Sequence, residues 1–162
     1  MITLERLTAE HATALLEFER ANRAYFARSV PDRGDAFFEW FGDRLRALLA
    51  EQADGTCHFH VVLDAAGVLV GRVNLVDVAD GAAELGYRIG ESASGRGVAT
   101  AAVEEVCRLA AGAYGLSRLF AVVTLDNPAS RAVLRRTGFA EAGDTVVDDR
   151  PATRYERSLA GL

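Results

Sequence analysis

The chain reads as an α/β sandwich, with helices on both faces of a mixed, mostly antiparallel sheet. Three observations predict it. Three strand-like runs between residues 56 and 89 are joined by the turn sequences Asp64-Ala65-Ala66-Gly67 and Asp80-Gly81. Tight turns of that kind make an antiparallel meander. A glycine-rich stretch, Ser94-Gly95-Arg96-Gly97-Val98-Ala99-Thr100, then leads into a long helical pattern. After it, a strand, a short helix and two more strand-like stretches complete the order.

Each element has a local reason. Ile2 to Leu7 alternates apolar and polar, as an early or edge strand does. Thr8 opens a capped helical pattern through Leu15, Leu16 and Phe18 that extends to Arg28, where Pro31 and Gly34 break it. Asp35 caps a second helix that places Phe38, Phe41, Leu45 and Leu48 on one face. Thr56–Leu63, Val68–Val78 and Ala83–Ile89 are the three meander strands. Val98, Ala102, Val106 and Ala110 recur at helical spacing between Gly97 and Tyr114, and Gly115 ends that helix. Arg118–Thr124 is a short apolar strand. Asn127 caps a short helix with Pro128 at its first position, and Gly138 closes it. Strand-like stretches 139–147 and 152–159 end the chain.

The 162 residues suit one domain, 1–162, with a sizeable core. The composition is that of an ordinary soluble globular protein: 50% hydrophobic and 25% charged. A net charge of −5 without a basic stripe argues against nucleic acid as a partner. Glu5, Arg6 and Glu10 interrupt any apolar leader, and no apolar run approaches a membrane span, so a cytoplasmic location is expected. Cys57 and Cys107 lie in apolar runs without metal or redox spacing and read as buried reduced thiols. His58 and His60 share a strand face, but no third ligand has suitable spacing, so no metal is expected.

The glycine stretch carries the chemistry. Glycines let a backbone turn tightly and approach a ligand, and the helix behind them offers unpaired N–H groups and its positive dipole end. Together these cradle phosphate or pyrophosphate. A P-loop would need lysine after the glycines, and Gly97-Val98-Ala99-Thr100 has none. A dinucleotide fingerprint would need a third glycine where Thr100 stands.

Two flanking stretches sharpen the reading. Upstream is Ala83-Glu84-Leu85-Gly86-Tyr87-Arg88-Ile89; downstream is Asn127-Pro128-Ala129-Ser130, closing with Gly138-Phe139. Their order and spacing resemble the GNAT acyl-CoA N-acyltransferases, and within them the RimJ/RimL ribosomal-protein N-terminal acetyltransferases. Gly97 and Ala99 match the last two fixed places of the family's Gln/Arg-x-x-Gly-x-Gly/Ala pattern; Ser94 stands where Gln or Arg is usual. The resemblance implies a GNAT-type mixed sheet flanked by helices on both faces, with acetyl-CoA as cosubstrate. It implies that Gly95, Arg96, Gly97, Val98, Ala99 and Thr100 hold the pyrophosphate. A bulge at Gly86 would splay two strands, so that the pantetheine arm pairs with the strand carrying Tyr87 and Ile89. Asn127, Ser130 and Arg131 would make further coenzyme contacts.

Glu84 is a carboxylate among apolar neighbours and aligns with the family's general base, acting directly or through water. Tyr87 and Arg88 beside it are candidates for substrate contact. Many family members place a tyrosine eight positions into the downstream motif to protonate the leaving thiolate; Leu134 occupies that place here. RimJ/RimL-like members have a serine where this chain has Ser130, which would steady the sulfur. Arg135 and Arg136 read as a solvated basic helix face. The first two helices would wall the acceptor groove, which makes Tyr25, Phe26 and Trp40 candidate substrate contacts. The expected function is acetyl transfer to a primary amine by direct attack in a ternary complex. The resemblance points to a protein N-terminal α-amine, of ribosomal-protein type, as acceptor. A small amine such as a polyamine or antibiotic, a non-catalytic acyl-CoA sensor, and a homodimer all remain open.

Overall fold

Short turns set the sheet order before packing does. The computed structural model describes residues 1–162. Strands β1 (Thr3–Arg6), β2 (His58–Leu63), β3 (Leu69–Ala79) and β4 (Ala82–Ile89) are antiparallel neighbours in that order. Asp80 and Gly81 both take positive φ (52° and 75°), the conformation of a tight hairpin. Strand β5 (Arg118–Thr124) joins β4 in parallel, and β7 (Arg150–Ser158) and β6 (Ala140–Val147) complete a seven-stranded sheet. The expected mixed, mostly antiparallel sheet is what forms.

Helices cover both faces. Helix α5 (Val98–Ala111) packs Ala102, Val103, Val106, Cys107 and Ala110 onto Val62, Val73, Leu75 and Leu85. On the opposite face, α1 (Ala12–Ala21), α2 (Arg23–Phe26), α3 (Asp35–Glu39) and α4 (Phe41–Ala53) bury Leu15, Phe18, Phe37, Phe41 and Leu45 against Phe59 and Val61. Helix α6 (Pro128–Arg136) follows β5 and sends Leu134 into the α5-side core. Cys57 and Cys107 are free and buried in opposite layers. No helix is long and apolar enough to cross a membrane.

Two helices differ from the sequence expectation. The first breaks at Asn22, whose side chain holds the Phe18 carbonyl (2.9 Å) and accepts from the Glu91 amide (3.0 Å). That break ties the helical layer to the chain just ahead of the glycine stretch. The second begins one residue earlier than expected: Gly34, at φ 85°, occupies the cap position, and Asp35 is the first helical residue and pairs with Arg23. It then interrupts at Trp40, so Phe37 rather than Phe38 is the buried ring.

The expected bulge at Gly86 is also absent. The β3–β4 register runs regularly from Gly71↔Ile89 through Asn74↔Gly86 to Val76↔Glu84, and the irregularity lies between Val76 and Ala79. Asp77, at φ 54°, absorbs it. The strands separate nonetheless. Pairing of β4 with β5 stops at Glu84↔Phe120, while β5 continues beside β7 to Thr124. From Leu85 to Ile89 the β4 edge facing β5 is therefore open.

His58 and His60 serve packing. Tyr114 stacks on His58 at 3.7 Å between ring centres, and its hydroxyl lies 2.6 Å from His60 Nε2. Burial pushes the His60 imidazole down to about 4. No group of three His, Cys, Asp or Glu side chains is placed to hold a metal ion.

Candidate active site

The gap between β4 and β5 holds two cavities that meet. The larger, about 500 Å³, runs from the glycine stretch past Tyr87 and Ile89 to α6 and is roofed by Tyr25, Phe26, Ser29 and Val30. The smaller, about 190 Å³, lies between Leu85–Tyr87 and Ala121–Thr124, with Ser29–Pro31 on one rim and the β6–β7 turn at Val147–Asp148 on the other. Tyr87, Asn127 and Ser130 line both.

The glycine stretch has the backbone form of an anion cradle. Gly95 (φ 72°) and Gly97 (φ 77°) take left-handed conformations, and Gly97 caps the N-terminus of α5. Neither would bring a Cβ within 4 Å of another atom, so the space above them is open. Ser94, Gly95, Gly97, Val98, Ala99 and Thr100 line the larger cavity. A left-handed glycine followed by free helix-terminal N–H groups suits an anion. Gly97→Ala is expected to strain the backbone by about 1–2 kcal/mol and raise the acetyl-CoA KM about tenfold, with little change in KM for the amine. Steady-state kinetics with each substrate varied checks this.

Where the cavities meet, Tyr87 Oη and Ser130 Oγ share a hydrogen bond of 2.7 Å. Ser130 is free for it because its backbone N–H already donates to Asn127 Oδ1 at 3.3 Å, the helix cap. Burial raises the Tyr87 phenol above its usual value, and the Ser130 bond opposes this only in part. The phenol is therefore a hydrogen donor at neutral pH. Leu134, at the place where a tyrosine was looked for, is buried in the core. The tyrosine hydroxyl in this site comes from β4 instead.

Glu84 lines neither cavity. It projects from the α1–α4 face of the sheet, the face of Gly86, two residues or about 7 Å along the strand. Gly86 lines the smaller cavity, and a Cβ there would meet nothing within 4 Å. Burial raises the Glu84 carboxyl above the usual glutamate value; Asp77 adds to this and Arg154 opposes it.

Three more expected site residues lie outside both cavities. Trp40 is 57% exposed at the α3–α4 junction. Arg96 is not among the residues lining either cavity. Arg131 donates to Tyr155 Oη (3.2 Å) and pairs with Glu141 (3.6 Å). Arg136, read from the sequence as solvated, is exposed and also lines the larger cavity. Helical spacing carries the signal: Ala129, Ala132, Val133 and Arg136 share one face of α6, while Arg131 and Arg135 turn toward Glu141.

Comparison with known proteins agrees with this architecture. Residues 1–140 match the family model described as acetyltransferase (GNAT) domain. The probable N-acetyltransferase YjcK of Bacillus subtilis is 28% identical over 148 residues, 88% of this chain and 82% of that protein. The ribosomal-protein-S5-alanine acetyltransferase of Vibrio fischeri superposes with a TM-score of 0.90 at 21% identity, covering 99% of this chain and 94% of that one. RimJ of Mycobacterium smegmatis, solved with CoA-disulfide, gives 0.87 at 25% identity, with 97% and 81% covered. A spermidine N-acetyltransferase of Vibrio cholerae shares the fold at 0.78 and 19% identity, with 98% and 95% covered. The chain belongs to the GNAT acetyltransferase family and is an acyltransferase.

Proposed function

We propose that this enzyme transfers acetyl from acetyl-CoA to a protein N-terminal α-amine, by direct attack within a ternary complex. One observation carries the reading: the two cavities share Ser29, Val30, Tyr87, Asn127 and Ser130 and meet at the Tyr87–Ser130 hydrogen bond. The larger suits the coenzyme, with the glycine stretch and Arg136 at its phosphate end. The open edge of β4 offers backbone partners to an extended pantetheine arm. The smaller cavity lets an amine reach the same point.

The chemistry then follows from the residues present. The amine nitrogen attacks the thioester carbon, and backbone N–H groups of β4 steady the oxyanion. The nitrogen gives up a proton to water held beside Gly86, and Glu84 takes it from that water. The C–S bond breaks, and whichever of the paired Tyr87 and Ser130 hydroxyls accepts the bond between them donates its own proton in a hydrogen bond to the departing sulfur. An α-amine with a pKa near 8 is partly neutral at pH 7, so a distant base acting through water suffices.

The mouth of the smaller cavity favours a second reading, a polyamine acceptor. Asp148 lines it and Asp149 adjoins it. Thiol release from acetyl-CoA separates the two. Peptides with free N-termini are expected to react, and the same peptides blocked at the N-terminus and polyamines are not. Release with spermidine but with no peptide would overturn the N-terminal reading.

A further inference from the structure

Arg88 is an unpaired cation on the roof side of this site. Its side chain leaves β4 on the face opposite Tyr87 and Ile89. The guanidinium lies 5.1 Å from the Phe26 ring centre, under the roof of the larger cavity, which Arg88 lines together with Tyr25, Phe26, Ser29 and Val30. Every acid nearby already has an arginine. Glu19 holds Arg33 (3.0 Å) and Arg72 (3.1 Å). Asp32 holds Arg23 through two bonds of 2.9 and 2.7 Å. Arg88 makes no ion pair, and its side chain makes no hydrogen bond within the chain. No fully buried side-chain polar atom lacks a partner, so the open donors of Arg88 face accessible space. Arg23, Arg33, Arg72 and Arg88 thus gather behind this wall with Glu19, Asp32 and Asp35, which leaves one positive charge unbalanced against an apolar roof. Burial, then Arg33, pushes the guanidinium down to about 10, still charged at neutral pH.

Such a group wants a carboxylate, which guanidinium binds through paired hydrogen bonds. The coenzyme phosphates would be served at the other end of the cavity, by the glycine stretch and Arg136. An anion at Arg88 belongs to the acceptor. Resting on the acetyl-transfer reading above, we propose that Arg88 is a specificity residue. It holds a carboxylate next to the reacting amine, so the favoured acceptor is an N-terminus whose second residue is aspartate or glutamate. Ser29 and Val30, which roof the larger cavity beside Arg88, also line the smaller one, so a peptide whose amine enters there can carry its second side chain, one Cα or about 3.8 Å further on, toward this wall. The same charge repels a polycation.

Two peptides differing only by Asp or Asn at the second position test this. The wild-type kcat/KM is expected to be at least about tenfold higher for the Asp peptide. Arg88→Gln brings the ratio to about one without changing the acetyl-CoA KM, and Arg88→Lys keeps part of the preference. Calorimetry of the two N-acetylated peptides on CoA-loaded protein gives a readout independent of turnover. The Asp form should bind about tenfold more tightly to wild type, and equally with the Asn form to Arg88→Gln. Equal rates and equal binding of the two peptides in wild type would overturn the assignment and leave acetyl transfer standing. A rise in acetyl-CoA KM in Arg88→Gln, with peptide preference intact, would also overturn it, giving Arg88 to the coenzyme. Retained Asp-over-Asn binding with no acetylation of either peptide would sink the transfer reading and leave Arg88 in place.

Discussion

Glu19→Ala is expected to destabilise the protein by about 3–5 kcal/mol, the cost of leaving a buried charge without its partner. The Glu19 side chain is 1% exposed, and its two oxygens hold Arg33 (3.0 and 3.3 Å) and Arg72 (3.1 Å). Arg72 is buried too, and burial alone already lowers its pKa. Without the carboxylate, Arg72 keeps its desolvation penalty and loses its counter-charge. Arg33, partly exposed, can turn to solvent. For a chain of this length the melting temperature should fall on the order of 10 °C. Thermal unfolding followed by circular dichroism measures it. Glu19→Gln keeps one acceptor and should lose less, and Glu19→Leu with Arg72→Leu should recover much of the loss, because an apolar pair needs no compensation. A fall of less than about 2 °C in Glu19→Ala would show that the cluster is solvated in a way its burial does not suggest. The consequence reaches the site, since this cluster underlies the wall where Arg88 stands.

This cluster also marks where sequence reasoning stops. Glu19 sits one residue from Phe18 in a helical pattern that reads as amphipathic, so a charge there reads as solvent-facing. Its partners lie 14 and 53 residues away, beyond any local spacing rule. The meander was legible because hairpin turns act over two to four residues. The glycine stretch was legible because left-handed φ and an open approach restrict residue type directly. The strand splay was expected, but for the wrong local reason. A bulge at Gly86 was inferred from the glycine, whereas the strands part because β5 follows β7 while β4 stays with β3. Gly86 contributes empty space instead. The Tyr87–Ser130 bond joins residues 43 apart, each of which could be picked out alone but not as a pair. On α6 the error was one of phase: Arg131 and Arg136 are five residues apart, which turns one toward Tyr155 and the other toward the cavity.

Glu84→Gln should lower kcat by about 10²–10³-fold, the loss typical of a missing proton acceptor, and leave the acetyl-CoA KM within about twofold. Its position makes the result informative. Glu84 shares the sheet face of Gly86 but lines neither cavity, so its effect on the amine must pass through water in the space that Gly86 leaves. The pH profile separates this from a structural effect. Burial raises the Glu84 carboxyl above its ordinary 4.5. A base works only when ionised, so wild-type activity should fall as pH drops through that raised value. The amine titrates separately, near pH 8. In Glu84→Gln the lower limb should vanish and the amine limb should remain. Stability moves the other way. A carboxyl whose folded pKa is raised binds protons more readily folded than unfolded, so its ionisation costs stability as pH rises through the window. Removing that charge should leave the melting temperature at pH 7 unchanged or slightly higher. Low kcat with intact stability and a missing acid limb identifies a base acting through water. An unchanged kcat with the acid limb still present would remove Glu84 from the reaction and leave the amine to lose its proton directly to solvent.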